Sequence, residues 1–341
     1  MTRQLANTQQ NAKHRKKIAI AIGVIFLAVA SGILLQYRAD INPQWERIST
    51  GSLVAETPCG RIEYAVAGVG QPVLIVHGAG GGFDQGLDFA GPLVKKSSKV
   101  IAVSRFGYLG TPLPNDASAE AQADAHLCLL NALGIERVSV VGFSAGAPSA
   151  MQFAIRHPDR TAALFLLVPA AYHADAAPAG AYIAETDGRN LTTPKWTEFL
   201  FDTALKSDFL FWLAIRTIPD TVTGAILGTP PEVVPKAERS EQERVQQMML
   251  HILPVSPRRP GLLNDAKVVS TLSRYALERI QAPTLVISVK DDRYGTYDAA
   301  RYTADHIAGA RFVGYEEGGH LAVGHNQEIL DQAITFLEEH R

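Results

Sequence analysis

The first block of the chain has no polar face. Ile18 to Leu35, "IAIAIGVIFLAVASGILL", runs for 18 residues without a charge and is apolar on every side. At 1.5 Å per residue such a helix spans about 27 Å, close to the hydrocarbon thickness of a bilayer. A terminal helix that is apolar all round reads as a membrane span, not as the core helix of a soluble domain. From about residue 60 the pattern changes. "VLIVHG" (73–78), "VIAVSR" (100–105), "VSVVGF" (138–143), "ALFLLVP" (163–169) and "TLVISV" (284–289) are β-branched-rich runs of strand length. Continuous apolar strands belong to sheets covered on both faces, so these runs predict a mostly parallel α/β sheet. Helical patterns lie between them. Ala119–Leu133 is expected to be a helix capped by Ser118 and ended by Gly134. Ala145–His157, with Pro158 after it, and about Gln327–His340 are two more.

Residues 172–280 break this alternation. They hold helical and irregular patterns but no strong strand, and the stretch is far too long for a simple connection. It reads as a helical insertion that splits the core into 45–171 and 281–341. Its aromatic-rich part, "KWTEFLFDTALKSDFLFWLAI" (195–215), is expected mainly to fill the insertion's own core. Trp196, Phe199 and Trp212, with Phe143 from the core, are candidates to line an apolar substrate pocket.

Charge gives the span a direction. The net charge is −2, yet residues 1–17 contain Arg3, Lys13, Arg15, Lys16 and Lys17 and no acid, so they carry +5 and the remainder −7. The basic cluster should stay cytoplasmic, which puts the body on the extracytoplasmic side of a single-pass anchor. The alternative is cleavage near Ala28-Val29-Ala30 and a secreted or periplasmic product. The apolar run continues past that site to Leu35, which suits a retained anchor better. The acidic body carries no basic patch that suggests nucleic acid. Two cysteines are fewer than a disulfide framework would use. Cys128, among leucines, reads as a small core residue, and Cys59 has no readable role.

In open α/β sheets ligands bind beyond the carboxyl ends of the strands. Ser144 stands there, in "GFSAG", between a strand and a helix. Gly-x-Ser-x-Gly in that setting presents a nucleophile on a sharp turn and aims helix N–H groups at a developing anion. A serine needs a base to take its proton. "RFVGYEEGGHLAVGH" (311–325) offers His320, in a loop after a strand pattern, and His325, near the last helix, as a surface or capping residue. The histidine needs a carboxylate to fix its tautomer. "KDDRYG" supplies Asp292, leaving Asp291 as a turn or solvent-facing carboxylate. "HGAGGGFDQG" (77–86) suits an oxyanion hole made by the N–H of Ala145 with that of Ala79 or Gly80, and His77 should support the loop by hydrogen bonding. It lacks the Gly-Lys-Ser/Thr of a phosphate loop, and Phe83 stands where a dinucleotide fingerprint needs glycine. No metal-ligand spacing is present, so neither metal nor organic cofactor is implied.

The order oxyanion loop, Ser144, Asp292, His320 resembles the α/β-hydrolase superfamily over roughly residues 60–341. "SRFGYLGTPLP" (104–114) is similar to its Arg-x-Gly-x-Gly-x-Ser loop, with Thr111 in the serine place. "IRHPDRTAALFLL" and "ERIQAPTLVIS" are similar to its links into later strands, though Val289 departs from the usual glycine. The resemblance implies a sheet of about eight strands flanked by helices, a helical cap at 172–280, and Asp292 and His320 as acid and base. Relatives that attack an sp³ carbon use aspartate at the elbow. Serine implies a carbonyl substrate instead: an ester, lactone, thioester or amide, or a carbon–carbon bond beside a ketone. The expected protein is a serine hydrolase acting on a partly apolar small molecule through an acyl-enzyme. A carbon–carbon bond hydrolase and a cofactor-free perhydrolase are rivals on the same fold. A non-catalytic ligand-binding protein that keeps the fold is the rival from another class.

Overall fold

In the computed structural model, residues 2–95, 98–173 and 205–340 are described, with side chains from residue 14 onward except those of Pro92, Val94 and Lys95. One helix, α1 (Thr2–Ser49), contains the whole apolar segment and continues 14 residues past Leu35. The side chains of the apolar segment are exposed, and the window it supplies has none of its residues buried against the protein. The last turns of α1 behave differently, because Ile41 is buried and Arg47 reaches into the body.

The body is built on an eight-stranded sheet: β1 (Leu53–Thr57), β2 (Gly60–Ala67), β3 (Gln71–Val76), β4 (Ser98–Val103), β5 (Val138–Phe143), β6 (Thr161–Leu167), β7 (Thr284–Val289) and β8 (Arg311–Tyr315). The spatial order is β1-β2-β4-β3-β5-β6-β7-β8. Pairing is antiparallel between β1 and β2 and between β2 and β4, and parallel from β4 through β8. The apolar runs are continuous because successive side chains serve opposite faces, and both faces are covered. Leu74, Val76, Val140 and Leu164 join one core with the helices α3 (Ala119–Ala132) and α4 (Ala147–Arg156). Val73, Ile75, Val141 and Phe165 join the other, with α2 (Phe83–Lys95) and the C-terminal helix. Ser118 caps α3 by accepting the N–H of Ala121. The segment 144–157 begins with one 3₁₀ turn, Ser144–Gly146, before α4.

Between β6 and β7 lies the insertion. Its described part contains α5 (Asp208–Thr217), α6 (Pro219–Ala225), α7 (Arg239–His251) and α8 (Arg259–Ser270). These share a third core with α1: Ile41 packs with Phe211, Trp212, Ile215 and Met249. The C-terminal elements are α9 (Thr296–Asp305) and α10 (Asn326–Glu339).

The two cysteines are corrected by the structure, where Cys59 and Cys128 form a disulfide across a sequence separation of 69. It ties the β1–β2 turn to α3. Neither cysteine's surroundings in sequence reveal this, because the pair meets only once the hairpin lies on that helix. Closing a loop of this length stabilises by about 4 kcal/mol through the unfolded chain. Reductant should therefore lower the melting temperature measurably, and an alanine pair replacing Cys59 and Cys128 should melt equally low with or without it.

Candidate active site

Ser144, Asp292 and His320 each follow a strand, and the sheet brings the three together. Ser144 leaves β5 with a φ of +45°, a left-handed conformation that a serine adopts only when its surroundings enforce it. The neighbouring glycines make that turn possible. A Cβ on Gly146 would lie 2.4 Å from the carbonyl oxygen of His77, and one on Gly142 would lie 2.7 Å from the Cβ of Ala150. Small residues therefore let the helix after the serine pass close to β3 and β5.

His320 Nε2 lies 2.8 Å from Ser144 Oγ, and its Nδ1 lies 2.8 Å from Asp292 Oδ2. Asp292 is almost completely buried, and two further donors hold it in place: Tyr294 N–H donates to Oδ1 at 2.8 Å, and Thr296 Oγ1 donates to Oδ2. With the carboxylate accepting at Nδ1, the imidazole keeps Nε2 as an acceptor facing the serine hydroxyl. Such a chain can take a proton from Ser144 and stabilise the imidazolium that results. Asp291 faces away from this pair and accepts the N–H groups of Gly318 and Gly319, so it is a turn carboxylate. His325 precedes α10 and stacks on Tyr315 at 4.2 Å.

In the glycine loop only one of the two candidate donors is unengaged. Gly80 N–H donates to Tyr108 Oη at 3.3 Å, Gly78 N–H to Gln85, and Gly81 N–H to Gly78 O. The N–H of Ala79 has no partner among the described residues. Ala145 opens the helical turn after the serine, where the first N–H groups have no partner within a helix.

The loop is held by charged pairs that the sequence reading missed. His77 is fully buried and stays neutral: burial, then the Arg105 charge, push its pKa well below the usual histidine value. Its Nδ1–H donates to Gly78 O at 2.7 Å, and its Nε2 accepts the N–H of Arg105 at 3.0 Å. The Arg105 guanidinium donates to the carbonyls of His77 and Gly78 and forms a bidentate pair with Asp265, both bonds 2.6 Å. A second pair lies one turn on. Arg258, 0% exposed, donates to Gly81 O at 2.6 Å and to both oxygens of Asp84, which Arg47 of α1 also contacts. Arg105 stands in the loop that carried the family resemblance. Asp265 and Arg258 lie in the insertion, and nothing local marks them.

Burial alone would raise the Asp84 carboxyl, but Arg258 on both its oxygens and Arg47 beside it outweigh burial and hold it down to about 2. An unfolded aspartate titrates near 3.9. Asp84 therefore stabilises the fold fully above about pH 4, and that contribution, about 2–3 kcal/mol, is lost as pH falls through about 2. Urea unfolding of Asp84→Asn should show lower stability at pH 7 and a flatter decline between pH 4 and 2 than the unsubstituted protein.

The pocket candidates divide. Phe143 is half-buried and packs edge-to-face on Phe89 at 4.3 Å. Trp212 packs on the insertion's own core and the end of α1. It is buried in the seam between α1 and α5, with its indole N–H bound to Asp40 at 2.6 Å and its ring against Tyr37. An aromatic at helical spacing filled a core here, because α1 supplied both an apolar wall and a carboxylate for the N–H. Trp196 and Phe199 lie outside the described residues. Among the described residues no group of three His, Cys, Asp or Glu is placed to hold a metal ion.

A mostly parallel sheet with a strained serine after β5 and a hydrogen-bonded histidine and aspartate at later strand ends defines an α/β hydrolase. Residues 73–332 match the alpha/beta hydrolase family, and the chain belongs to that family. Among curated relatives it is 27% identical over 288 residues to the 2-hydroxy-6-oxo-6-phenylhexa-2,4-dienoate hydrolase of Comamonas testosteroni, covering 82% of this chain and 91% of that one. Among solved structures, an alpha/beta hydrolase fold protein from Nakamurella multipartita matches with a TM-score of 0.61 and 28% identity, over 84% of this chain and 98% of that one. A bacterial membrane phospholipase A matches with a TM-score of 0.61 and 18% identity, over 95% of this chain and 98% of that one. The chain is a hydrolase.

Proposed function

We propose that the chain is a membrane-anchored serine hydrolase that cleaves a neutral carbonyl compound, an ester or lactone. Ser144 attacks the carbonyl carbon as His320 takes its proton. Asp292 orients the imidazole, and the oxyanion rests on the N–H groups of Ala145 and Ala79. His320 then protonates the leaving alcohol, and water, deprotonated by the same imidazole, releases the acyl group from Ser144. The observation that carries this reading is the unbroken Ser144–His320–Asp292 hydrogen-bond chain, with both bonds at 2.8 Å.

A carbon–carbon bond hydrolase is the second reading, favoured by the dienoate hydrolases among the relatives. A dienoate carries a carboxylate and calls for a cation. The two buried arginines behind the glycine loop, Arg105 and Arg258, are each already neutralised by an aspartate. Among the described residues neither of these arginines is left to offer that cation, which supports an uncharged substrate first. The test is direct: the full-length protein in detergent is offered short p-nitrophenyl esters and a 2-hydroxy-6-oxo-dienoate, with a fluorophosphonate probe to count reactive serines. Turnover of the dienoate alone would replace the ester reading. A protein that neither turns over nor takes the probe would favour a binding role.

The anchor reading rests on the basic cluster and the exposed apolar helix. The disulfide adds support for a body outside the cytoplasm, because such bonds persist in oxidising compartments.

A further inference from the structure

The loop that carries His320 is held from two sides. From the sheet, Asp291 accepts the N–H groups of Gly318 at 3.2 Å and Gly319 at 2.7 Å. From the other side it is held by the insertion. The carbonyl of Gly228 accepts the N–H of His320 at 3.2 Å and the N–H of Arg293, the residue after Asp292, at 2.9 Å. One oxygen atom thus joins the two loops that supply the histidine and the aspartate. Thr229 is fully buried; its Oγ1 accepts the N–H of Leu321 at 3.0 Å and donates to Leu227 O at 3.1 Å. Arg244 on α7 donates to Leu321 O at 2.9 Å. Tyr294, with its hydroxyl on Ile226 O at 2.6 Å, sets its ring edge-to-face on the His320 imidazole at 4.8 Å.

The fit requires glycine at 228. Its φ is +57°, and a Cβ there would fall 2.5 Å from the Tyr294 ring and 3.0 Å from the His320 Cβ. The carbonyl reaches both loops only because no side chain intervenes.

We propose that Gly228 and Thr229 are positioning residues, through which the insertion sets the reach of His320 to Ser144 and Asp292. This rests on the serine-hydrolase reading above. Proton transfer needs heavy atoms about 2.6–3.2 Å apart, and a misplacement of about 1 Å can cost on the order of 100-fold. A base at the end of a loop is fixed only as well as that loop. The insertion therefore governs the rate of the chemical step.

The test compares Thr229→Val, which keeps shape and removes the hydroxyl, with Thr229→Ser, which restores it. In detergent-solubilised full-length protein, Thr229→Val should lower kcat about tenfold on a short p-nitrophenyl ester with KM unchanged. It should slow fluorophosphonate labelling in parallel. It should also shift or broaden the far-downfield proton resonance of His320 Nδ1–H, and Thr229→Ser should recover all three. A Thr229→Val protein with a lower melting temperature but unaltered kcat, labelling rate and resonance would overturn the proposal. Should Thr229→Val not fold, Arg244→Met decides from the surface side: a fall in kcat at constant KM supports the positioning role, and an unchanged kcat overturns it. The resonance is read without substrate. A wild-type protein that cleaved no ester would therefore sink the proposed function and still leave the positioning of His320 to be tested.

Discussion

Ser144→Ala should lower kcat/KM on a short ester by about four to six orders of magnitude and abolish fluorophosphonate labelling, without unfolding the protein. The expectation follows from what the hydroxyl does and what it does not do. Ser144 Oγ bonds to His320, and its backbone strain is enforced by close approach of the 3₁₀ turn to β3 and β5. Alanine keeps that backbone, the paired Asp292 and His320, and the N–H groups proposed for the oxyanion. Only the attacking atom is lost. His320→Ala should fall by a similar amount, and Asp292→Asn by about 10⁴, because an amide would favour the wrong imidazole tautomer. The three losses should be far from additive, since each residue acts only through the others. Ser144→Ala that retained turnover would remove the serine mechanism altogether.

Truncation at two points should give opposite results. Deleting residues 2–35 removes the apolar span and should leave a folded, water-soluble body. Deleting residues 2–50 should lower the melting temperature by about 10 °C or more. The difference lies in the last turns of α1, which belong to the body. Tyr37 packs on Phe209 and Trp212, and Ile41 is buried. Asp40 accepts the Trp212 indole N–H and the Arg216 guanidinium, and Arg47 bonds Asp84 and the carbonyl of His251. Losing one buried isoleucine costs about 1.5–3 kcal/mol, and each hydrogen bond to a charged group adds about 1.5–3. A buried indole N–H left without its acceptor adds to that. Differential scanning fluorimetry on both truncations reads the difference, and equal melting temperatures would show that α1 contributes nothing beyond its span.

How much of this was legible depends on the range over which each signal acts. The apolar runs gave strands within two residues of those observed, because a strand covered on both faces must be apolar at every position. Ser118 and the "GFSAG" turn were readable for a similar reason: capping and sharp turns are local chemistry. Asp292 and His320 were found by position, since the carboxyl ends of parallel strands converge on one edge of the sheet. The glycine loop was legible as a loop but not in its details. Ala79 or Gly80 could have offered the free N–H, and the choice falls to Ala79 because the Tyr108 hydroxyl occupies Gly80.

The sequence by itself thus determined the sheet class, the long apolar N-terminal helix, the insertion and the three side chains of the hydrogen-bonded chain. Tertiary structure alone decided the Cys59–Cys128 bond, the place of Trp212, and the pairs Arg105–Asp265 and Arg258–Asp84. It alone brought Gly228 against Arg293 and His320. Periodicity and turn chemistry act over a few residues and leave a mark wherever they act. A contact between segments far apart in the chain leaves none, because its partners are chosen by how the helices of the insertion and the end of α1 pack on the finished sheet.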